Sequence, residues 1–310
     1  SISAENMDIV CAADTNYVEH CTVMLTSLFL KNRGEDITVH LLSDSMSDAG
    51  IASIGEAVRS FGGRFRVYPI DPALLKKCPI RPTDHLSLAT YNRLLMAEIL
   101  PQEIDKVLYL DCDIVIEGSL RELLETPLDG YALAAVEEMG CSRPDVYERL
   151  GYDPQYGYFN AGVLLVNLAY WRRIDSVNLF FDYIAANYDR IVAHDQDVLN
   201  ALFHAKCLHL DCKWNVEEAF YHRCVLKRLG YDRTLRRTLL HPVVLHYTWK
   251  PKPWDPDCKH PFRIAYYRCL ERVRGGTMLR LRYLRAFADR WFLPAVLGLG
   301  LRGKWFYRLK

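Results

Sequence analysis

The segment VLYLDCDIVI, from Val107 to Ile116, constrains the fold of this 310-residue chain most strongly. Its apolar start is typical of a strand buried on both faces of a parallel sheet. Asp111 and Asp113 follow where that strand should end, and ligands bind at the carboxyl ends of such strands. Mg²⁺ or Mn²⁺ would offset the cost of holding two carboxylates beside a core. A solvated turn is the alternative interpretation of an Asp-x-Asp alone.

Strand-like and helix-like segments alternate along the chain. Apolar runs predict strands at 8–13, 37–43, 65–70, 107–110, 131–136, 163–167 and 243–245. Helical periodicity and capping residues predict helices at 17–31, 47–61, 88–100 and 171–188 and a helix start at 194–197. This order predicts an α/β fold, with a mostly parallel sheet flanked by helices on both faces.

The polar residues Asp14, Thr15 and Asn16 follow the first predicted strand. This is the place where a doubly wound sheet binds a nucleotide. The segment contains no GxGxxG, so it does not support a dehydrogenase-type dinucleotide fold. Asp14 or Asn16 could equally cap the following helix, and the two roles are compatible.

Composition indicates a globular chain of the ordinary soluble kind, since half of its residues are hydrophobic and a quarter are charged. The net charge of +1 gives no support for nucleic-acid binding. Ten cysteines occur without a CxxC pair, which indicates reduced thiols in a cytosol rather than disulfides or a zinc site. The first residues lack the pattern of a signal peptide, and the apolar run at 291–301 is too short to span a bilayer.

Five motifs together resemble the family-8 retaining glycosyltransferases, which include bacterial lipopolysaccharide galactosyl- and glucosyltransferases and glycogenin. They are MDIVCAADTNY (7–17), LYLDCDIVI (108–116), YFNAGVLLVNL (158–168), HDQDVLN (194–200) and HYTWKPKPW (246–254). The resemblance implies a GT-A-like nucleotide-binding fold. It also implies transfer of galactose or glucose from a UDP-sugar to a saccharide acceptor, such as lipopolysaccharide or another lipid-linked glycan.

The resemblance further implies which residues bind the donor. They are Ala12, Asp14 and Asn16 for the uridine, and Arg93, Asp111, Cys112, Asp113, Glu137, Asn160, Ala161 and Lys252 for the diphosphate and sugar. Two positions depart from the family pattern. Glu137 stands where Asp is frequent, and Trp249 stands where Gly is usual, so the backbone contact with the pyrophosphate is expected to be built differently.

The same resemblance assigns the metal and the chemistry. Asp111, Asp113 and His246 offer two oxygens and one imidazole nitrogen, which favours Mn²⁺ over Ca²⁺, with Mg²⁺ as the alternative metal. Gln196 lies where a nucleophile would be expected, and a neutral amide is a poor nucleophile. We therefore expect it to stabilise an oxocarbenium-like state during attack on the face that the diphosphate leaves, with Asp195 as the alternative for a covalent intermediate.

Residues 272–310 contain ten Lys or Arg and one acid, interspersed with large apolar side chains. This composition predicts a basic amphipathic segment that attaches a catalytic domain, residues 1–271, peripherally to the inner, cytoplasmic face of the cell membrane. A terminal helix pair packed on the core is the alternative. The irregular stretch 139–157 is predicted to be a lid or an acceptor loop.

Two functions of other classes compete with glycosyl transfer. A metal-dependent nucleotide-sugar phosphohydrolase would need only the Asp-x-Asp, and it leaves the Asn-Ala-Gly and Asp-Gln-Asp segments unexplained. An inactive membrane-associated scaffold would be expected to have lost a metal ligand, whereas all three candidate ligands are present.

Overall fold

The computed structural model describes residues 6–80, 88–139, 145–222, 225, 233–258 and 260–275. The strands of this part are β1 Met7–Ala12, β2 Ile37–Ser43, β3 Arg64–Pro69, β4 Lys106–Leu110, β5 Ile114–Ile116, β6 Leu133–Ala135, β7 Val163–Asn167, β8 Cys207–His209, β9 Val216–Glu217 and β10 Val244–His246. Its α-helices are α1 Val18–Lys31, α2 Asp48–Ser60, α3 Met96–Ile99, α4 Arg121–Leu124, α5 Asp145–Leu150, α6 Leu168–Arg173, α7 Ser176–Asn187, α8 His194–Phe203, α9 Arg233–Leu240 and α10 Arg263–Arg274. Short 3₁₀ helices occur at Thr15–Tyr17, Pro72–Leu75, Leu88–Leu95, Pro154–Tyr156, Tyr188–Arg190, His204–Lys206, Cys212–Trp214 and Glu218–Tyr221.

The larger sheet has seven strands in the order β3-β2-β1-β4-β7-β6-β8. The four strands from β3 to β4 are parallel, β7 is antiparallel to both of its neighbours, and β8 is parallel to β6. The predicted α/β fold with a mostly parallel sheet is therefore confirmed. The order of the strands places the carboxyl ends of β1 and β4 side by side.

Both faces of this sheet are covered, as alternation along the strands requires. Ile9 and Leu108 belong to one core cluster, which includes buried residues of α1 and α2. Their neighbours Val10 and Tyr109 belong to a second cluster, which includes buried residues of α6, α7 and α8. Continuous apolar runs were thus the correct signal for strands without a solvent face.

The smaller sheet has the order β5-β10-β9. In it, β10 pairs antiparallel with β5 and parallel with β9, and His246 lies opposite Ile114. The backbone N–H of Tyr247 then donates to the carbonyl oxygen of Asp113 at 3.0 Å. This pairing carries the end of β10 to the residues that follow β4.

Three segments differ from the sequence predictions. The predicted helix at 88–100 is a 3₁₀ helix over Leu88–Leu95 followed by α3, and Tyr91 to Leu95 are all buried, so tertiary contacts outweigh helix propensity there. The helix predicted at 171–188 is two helices, because Asp175 adopts a left-handed conformation with φ 52°. The stretch 139–157 contains α5, although it was predicted to be irregular.

The C-terminal end of the described part is α10, which ends at Arg274 and is followed by Gly275 with φ 66°. Apart from residues 272–275, the predicted membrane-association segment lies outside the described residues. Among the described residues, no helix is long and apolar enough to cross a membrane. The eight cysteines of this part are free thiols.

Candidate active site

Three of the predicted ligands come together at the carboxyl end of β4. Asp111 follows β4 directly, Asp113 precedes β5, and His246 is the last residue of β10. The Nε2 atom of His246 lies 3.7 Å from Asp111 Oδ2 and 3.2 Å from Asp113 Oδ1. One ligand atom from each of the three residues lies within 4.8 Å of the others.

This cluster fits a divalent cation. Asp113 Oδ1 is buried and has no hydrogen-bond partner, which is unfavourable unless a ligand pairs with it. Gly162 keeps the space open, because a methyl group there would overlap the imidazole of His246 and approach Asp111 Oδ2 within 2.8 Å. Two carboxylates and one imidazole suit Mn²⁺ or Mg²⁺ better than a purely soft metal.

Lys252 lies beside the same cluster and is only 8% exposed. Its ammonium donates to Asp113 Oδ2 at 2.6 Å and to the carbonyl oxygens of Tyr247 and Thr248. Burial opposes ionisation of Asp113, but the charges of Lys252 and His246 outweigh it and hold the pKa of Asp113 well below its usual range. The site therefore concentrates opposite charges in a small volume.

Arg93 is buried and paired, unlike the solvated arginine that a helix surface would usually carry. Its Nη2 donates to Asp111 Oδ1 at 2.9 Å, its Nε lies 2.9 Å from Asp195 Oδ2, and its Nη1 donates to the carbonyl oxygen of Ala161. Burial opposes the charge, yet the two carboxylates raise the pKa of Arg93 above its usual range. Arg93 thus connects Asp111, a member of the candidate metal site, to Asp195.

The two candidate catalytic residues occupy different surroundings. Asp195 is buried, accepts from the Thr90 hydroxyl and pairs with Arg93, and burial raises the pKa of its carboxyl group. Gln196 is half-buried; its Oε1 accepts from the backbone N–H of Ala161 at 2.8 Å, and its Nε2 donates to Glu138 Oε2 at 3.3 Å. The amide of Gln196 consequently has one fixed orientation.

The side chain of Asn160, a predicted donor-binding residue, is hydrogen-bonded to other groups of the protein. Its Oδ1 accepts from the backbone N–H of Gly162 and from Nδ2 of Asn215, both at 2.9 Å, and its Nδ2 donates to Glu138 at 2.7 Å. Nδ1 of His246 lies 2.9 Å from Asn215 Oδ1. Asn160 is therefore connected through Asn215 to His246, a residue of the candidate metal site.

The predicted nucleotide end lies at the neighbouring strand end. Asp14 accepts from the backbone N–H of Asn16 at 2.8 Å and caps the 3₁₀ helix Thr15–Tyr17, while Asn16 is exposed. The Sγ atom of Cys112 donates to the carbonyl oxygen of Ala12 at 3.4 Å. The predicted uridine residues therefore lie next to the Asp-x-Asp.

The two positions that depart from the family pattern are both exposed. The carboxyl group of Glu137 lies beside Gly157, which has a positive φ of 69°. Trp249 is 47% exposed, on the turn between His246 and Lys252. The roles implied for these residues remain predictions.

Asp197, in the same motif as Gln196, has a structural role. It is fully buried, accepts from the backbone N–H groups of Val192 and Ala193 and from Tyr158, and pairs with Arg149 at 2.6 Å. It thereby fixes the start of α8 and ties α5 to it. The position of Gln196 depends on this anchoring.

Three residues of the site were missed by sequence reasoning: Asn215, Glu138 and Thr90. Asn215 lies in the region 206–242, where the sequence carries no periodic signal. Glu138 adjoins Glu137, and the choice between them depends on which side chain points inward. Thr90 is an ordinary residue within a predicted helix.

Comparison with known proteins decides the family. The sequence model described as "Glycosyl transferase family 8" matches residues 8–258, which include all five motifs described above apart from Met7. The chain belongs to this family. It is accordingly a glycosyltransferase, as the motifs predicted.

Proteins with curated names resemble the chain over most of its length. It is 24% identical to general stress protein A of Bacillus subtilis (strain 168), over 88% of this chain and 96% of that protein. It is 26% identical to lipopolysaccharide 1,2-glucosyltransferase of Escherichia coli (strain K12), over 86% of this chain and 78% of that protein. A crystal structure of the galactosyltransferase LgtC, in complex with donor and acceptor sugar analogs, matches with a TM-score of 0.78 and 29% identity, covering 90% of this chain and 99% of that one.

Proposed function

We propose that this family member is a retaining hexosyltransferase that moves galactose or glucose from a UDP-hexose to a saccharide acceptor. One observation carries the proposal. The Asp111, Asp113 and His246 cluster and the Gln196 amide both border the Ala161-Gly162 backbone: Gln196 accepts from the Ala161 N–H, and Gly162 lies against His246 and Asp111. A nucleotide diphosphate and the sugar bonded to it need two such neighbouring regions.

The diphosphate would lie at the cluster. A divalent cation, Mn²⁺ by preference, would be held by Asp111, Asp113 and His246 and would neutralise charge on the departing diphosphate. Lys252 adds a positive charge within 2.6 Å of Asp113. Asp14 and Asn16, at the adjoining end of β1, would contact the uridine.

Gln196 would act at the anomeric centre. Its Oε1 is held by a backbone N–H, so the amide dipole is already oriented and does not need to reorganise during reaction. The alternative nucleophile Asp195 is buried, ion-paired to Arg93 and hydrogen-bonded to Thr90, which weakens its nucleophilicity. These contacts favour attack by the acceptor on the face that the diphosphate leaves.

The acceptor is proposed to be a lipopolysaccharide core or another lipid-linked glycan. Support comes from the relative named lipopolysaccharide 1,2-glucosyltransferase and from the basic, apolar-rich composition of residues 272–310. Such a segment would keep a cytoplasmic enzyme on an anionic membrane surface, where a lipid-linked acceptor is reached along the surface.

A donor screen tests the proposal. Purified protein is incubated with Mn²⁺ and each of a panel of UDP-sugars, and release of UDP without acceptor is followed. Slow hydrolysis of UDP-galactose or UDP-glucose, and not of UDP-N-acetylhexosamines, is the expected result. Release of UMP and hexose 1-phosphate instead of UDP would contradict the proposal, because it would indicate a phosphohydrolase that cleaves the pyrophosphate bond.

A further inference from the structure

A chain of hydrogen-bonded, buried side chains connects Gln196 to the cluster of Asp111, Asp113 and His246. Glu138 accepts from both Gln196 and Asn160, Asn160 accepts from Asn215, and Asn215 contacts Nδ1 of His246. Asn215 is fully buried, and its two amide atoms each have one side-chain partner at 2.9 Å. A buried amide at such a place is costly unless both of its ends are satisfied.

The orientation of this chain follows from one backbone group. The backbone N–H of Gly162 can only donate, so the atom of Asn160 that it meets at 2.9 Å must be the oxygen Oδ1. The atom of Asn215 that meets the same Oδ1 must then be the amide nitrogen, which donates. The remaining atom of Asn215, which faces His246, is therefore its oxygen.

An oxygen facing Nδ1 of His246 requires Nδ1 to carry the proton. In the neutral imidazole the lone pair is then on Nε2, the atom that faces Asp111 and Asp113 at 3.7 and 3.2 Å. We propose that Asn215 is a positioning residue that holds His246 in the tautomer able to bind a metal through Nε2. That this tautomer serves metal binding rests on the proposed function, whereas the assignment of the tautomer rests only on the hydrogen bonds.

Outer hydrogen bonds of this kind commonly change metal affinity by about 10- to 100-fold when they are removed. In most such sites the partner of the histidine is a carboxylate or a backbone carbonyl. Here it is a neutral amide, whose own orientation is fixed by Asn160 and Gly162. The backbone N–H of Gly162, which also borders the proposed sugar site, therefore determines the tautomer of His246 through Asn160 and Asn215.

Nitrogen NMR of metal-free, ¹⁵N-histidine-labelled full-length protein tests the tautomer directly. Spectra are recorded at alkaline pH, and the His246 signals are assigned by their absence from the spectrum of His246→Gln. We expect a protonated Nδ1 and an unprotonated Nε2. A protonated Nε2 in the wild type would overturn the proposal without recourse to any variant of Asn215.

Asn215→Leu tests the role of the amide. It should give a mixed or reversed tautomer and weaken Mn²⁺ binding, measured by calorimetry, on the order of 10- to 100-fold. Asn215→Asp keeps an oxygen for Nδ1–H and should keep the tautomer, although it places oxygen against Oδ1 of Asn160 and should lower stability. Wild-type tautomer and wild-type Mn²⁺ affinity in Asn215→Leu would overturn the proposal.

Asn32→Leu is the matched control. Asn32 is also buried, and its amide bonds the Leu28 carbonyl oxygen and the Leu120 N–H within the core, away from the site. It should lose stability with no change in the His246 signals or in Mn²⁺ affinity. Failure of wild-type protein to bind Mn²⁺, with the expected tautomer present, would contradict the proposed function and leave the positioning role of Asn215 supported.

Discussion

The Oε1 atom of Gln196 accepts a hydrogen bond from the backbone N–H of Ala161 at 2.8 Å, and the next backbone N–H, that of Gly162, donates to Asn160 Oδ1. Two consecutive peptide groups therefore orient two side-chain amides. Both amides then converge on Glu138 Oε2. The orientation of Gln196 is thus a property of the folded backbone and exists before any substrate binds.

We predict that Gln196→Ala lowers kcat on the order of 100-fold with little change in the donor KM, because a preoriented dipole acts mainly in the transition state. Steady-state kinetics with the active UDP-hexose measures both constants. Gln102→Ala, an exposed glutamine away from the site, is the control and should resemble the wild type. An increase in KM at unchanged kcat would mean that Gln196 only binds the donor.

We predict that Asp113→Asn weakens UDP binding mainly when Mn²⁺ is present. Asp113 supplies one oxygen to the cluster and the other to Lys252, so its charge serves the metal and the diphosphate together. Calorimetry of UDP with and without Mn²⁺ measures the difference. Asp129→Asn, at an exposed position, is the control. Equal losses under both conditions would show that Asp113 contacts the nucleotide directly.

A pH effect on stability is expected from His20, whose ring stacks on Trp254 at 3.5 Å and contacts the Tyr266 hydroxyl at 2.7 Å. Burial lowers the pKa of His20 from 6.5 to about 4. The unfolded chain therefore binds a proton at a higher pH than the folded one. Stability should fall as the pH drops from 6.5 towards 4, and below that the loss is complete.

The difference between wild type and His20→Phe isolates this contribution, since phenylalanine keeps an aromatic ring and removes the titration. Allowing for the partial exposure of His20, we expect it to be about 1–2 kcal/mol. Urea denaturation at pH values on both sides of this range measures it. Parallel stability curves for the two proteins would show that His20 does not titrate in this way.

The predicted membrane attachment through residues 272–310 can be tested by a truncation that leaves α10 intact. Arg274, at the end of α10, pairs with Glu19 of α1 at 2.7 Å, so truncation should begin after Gly275. We expect the truncated protein to bind UDP and Mn²⁺ normally and to lose salt-sensitive cosedimentation with anionic liposomes. Neutral liposomes serve as the control. Unfolding of the truncated protein, or failure of the full chain to sediment at low salt, would contradict membrane attachment.

The parts of the fold that the sequence predicted well are those whose burial follows a simple pattern. The strand at Ile37–Ser43 is buried along its whole length, and Ser47 accepts from Gly50 N–H at the start of α2, as its capping role predicts. The helix at Leu88–Leu95 was harder to predict. Its conformation depends on contacts with distant segments, such as those of Arg93 with Asp111 and Asp195.

The candidate site was predictable where a motif marks it and not where only tertiary structure does. Asp111, Asp113 and His246 come together because β10 pairs with β5. Glu138 is buried and Glu137 is not, because side chains alternate between the two faces along the chain that continues from β6, which ends at Ala135. Asn215 directly precedes β9, which pairs with β10, and its side chain bonds Asn160 and His246. No spacing in the sequence predicts these contacts.

The stereochemistry of donor cleavage tests the central claim most directly. Proton NMR can follow an α-linked UDP-hexose with Mn²⁺ and enzyme, and it records the anomeric configuration of the sugar before mutarotation. Retaining transfer predicts that the α product appears first, from UDP-galactose or UDP-glucose, and that Asp111→Asn abolishes it. A β product, or no cleavage of either UDP-hexose, would contradict the account.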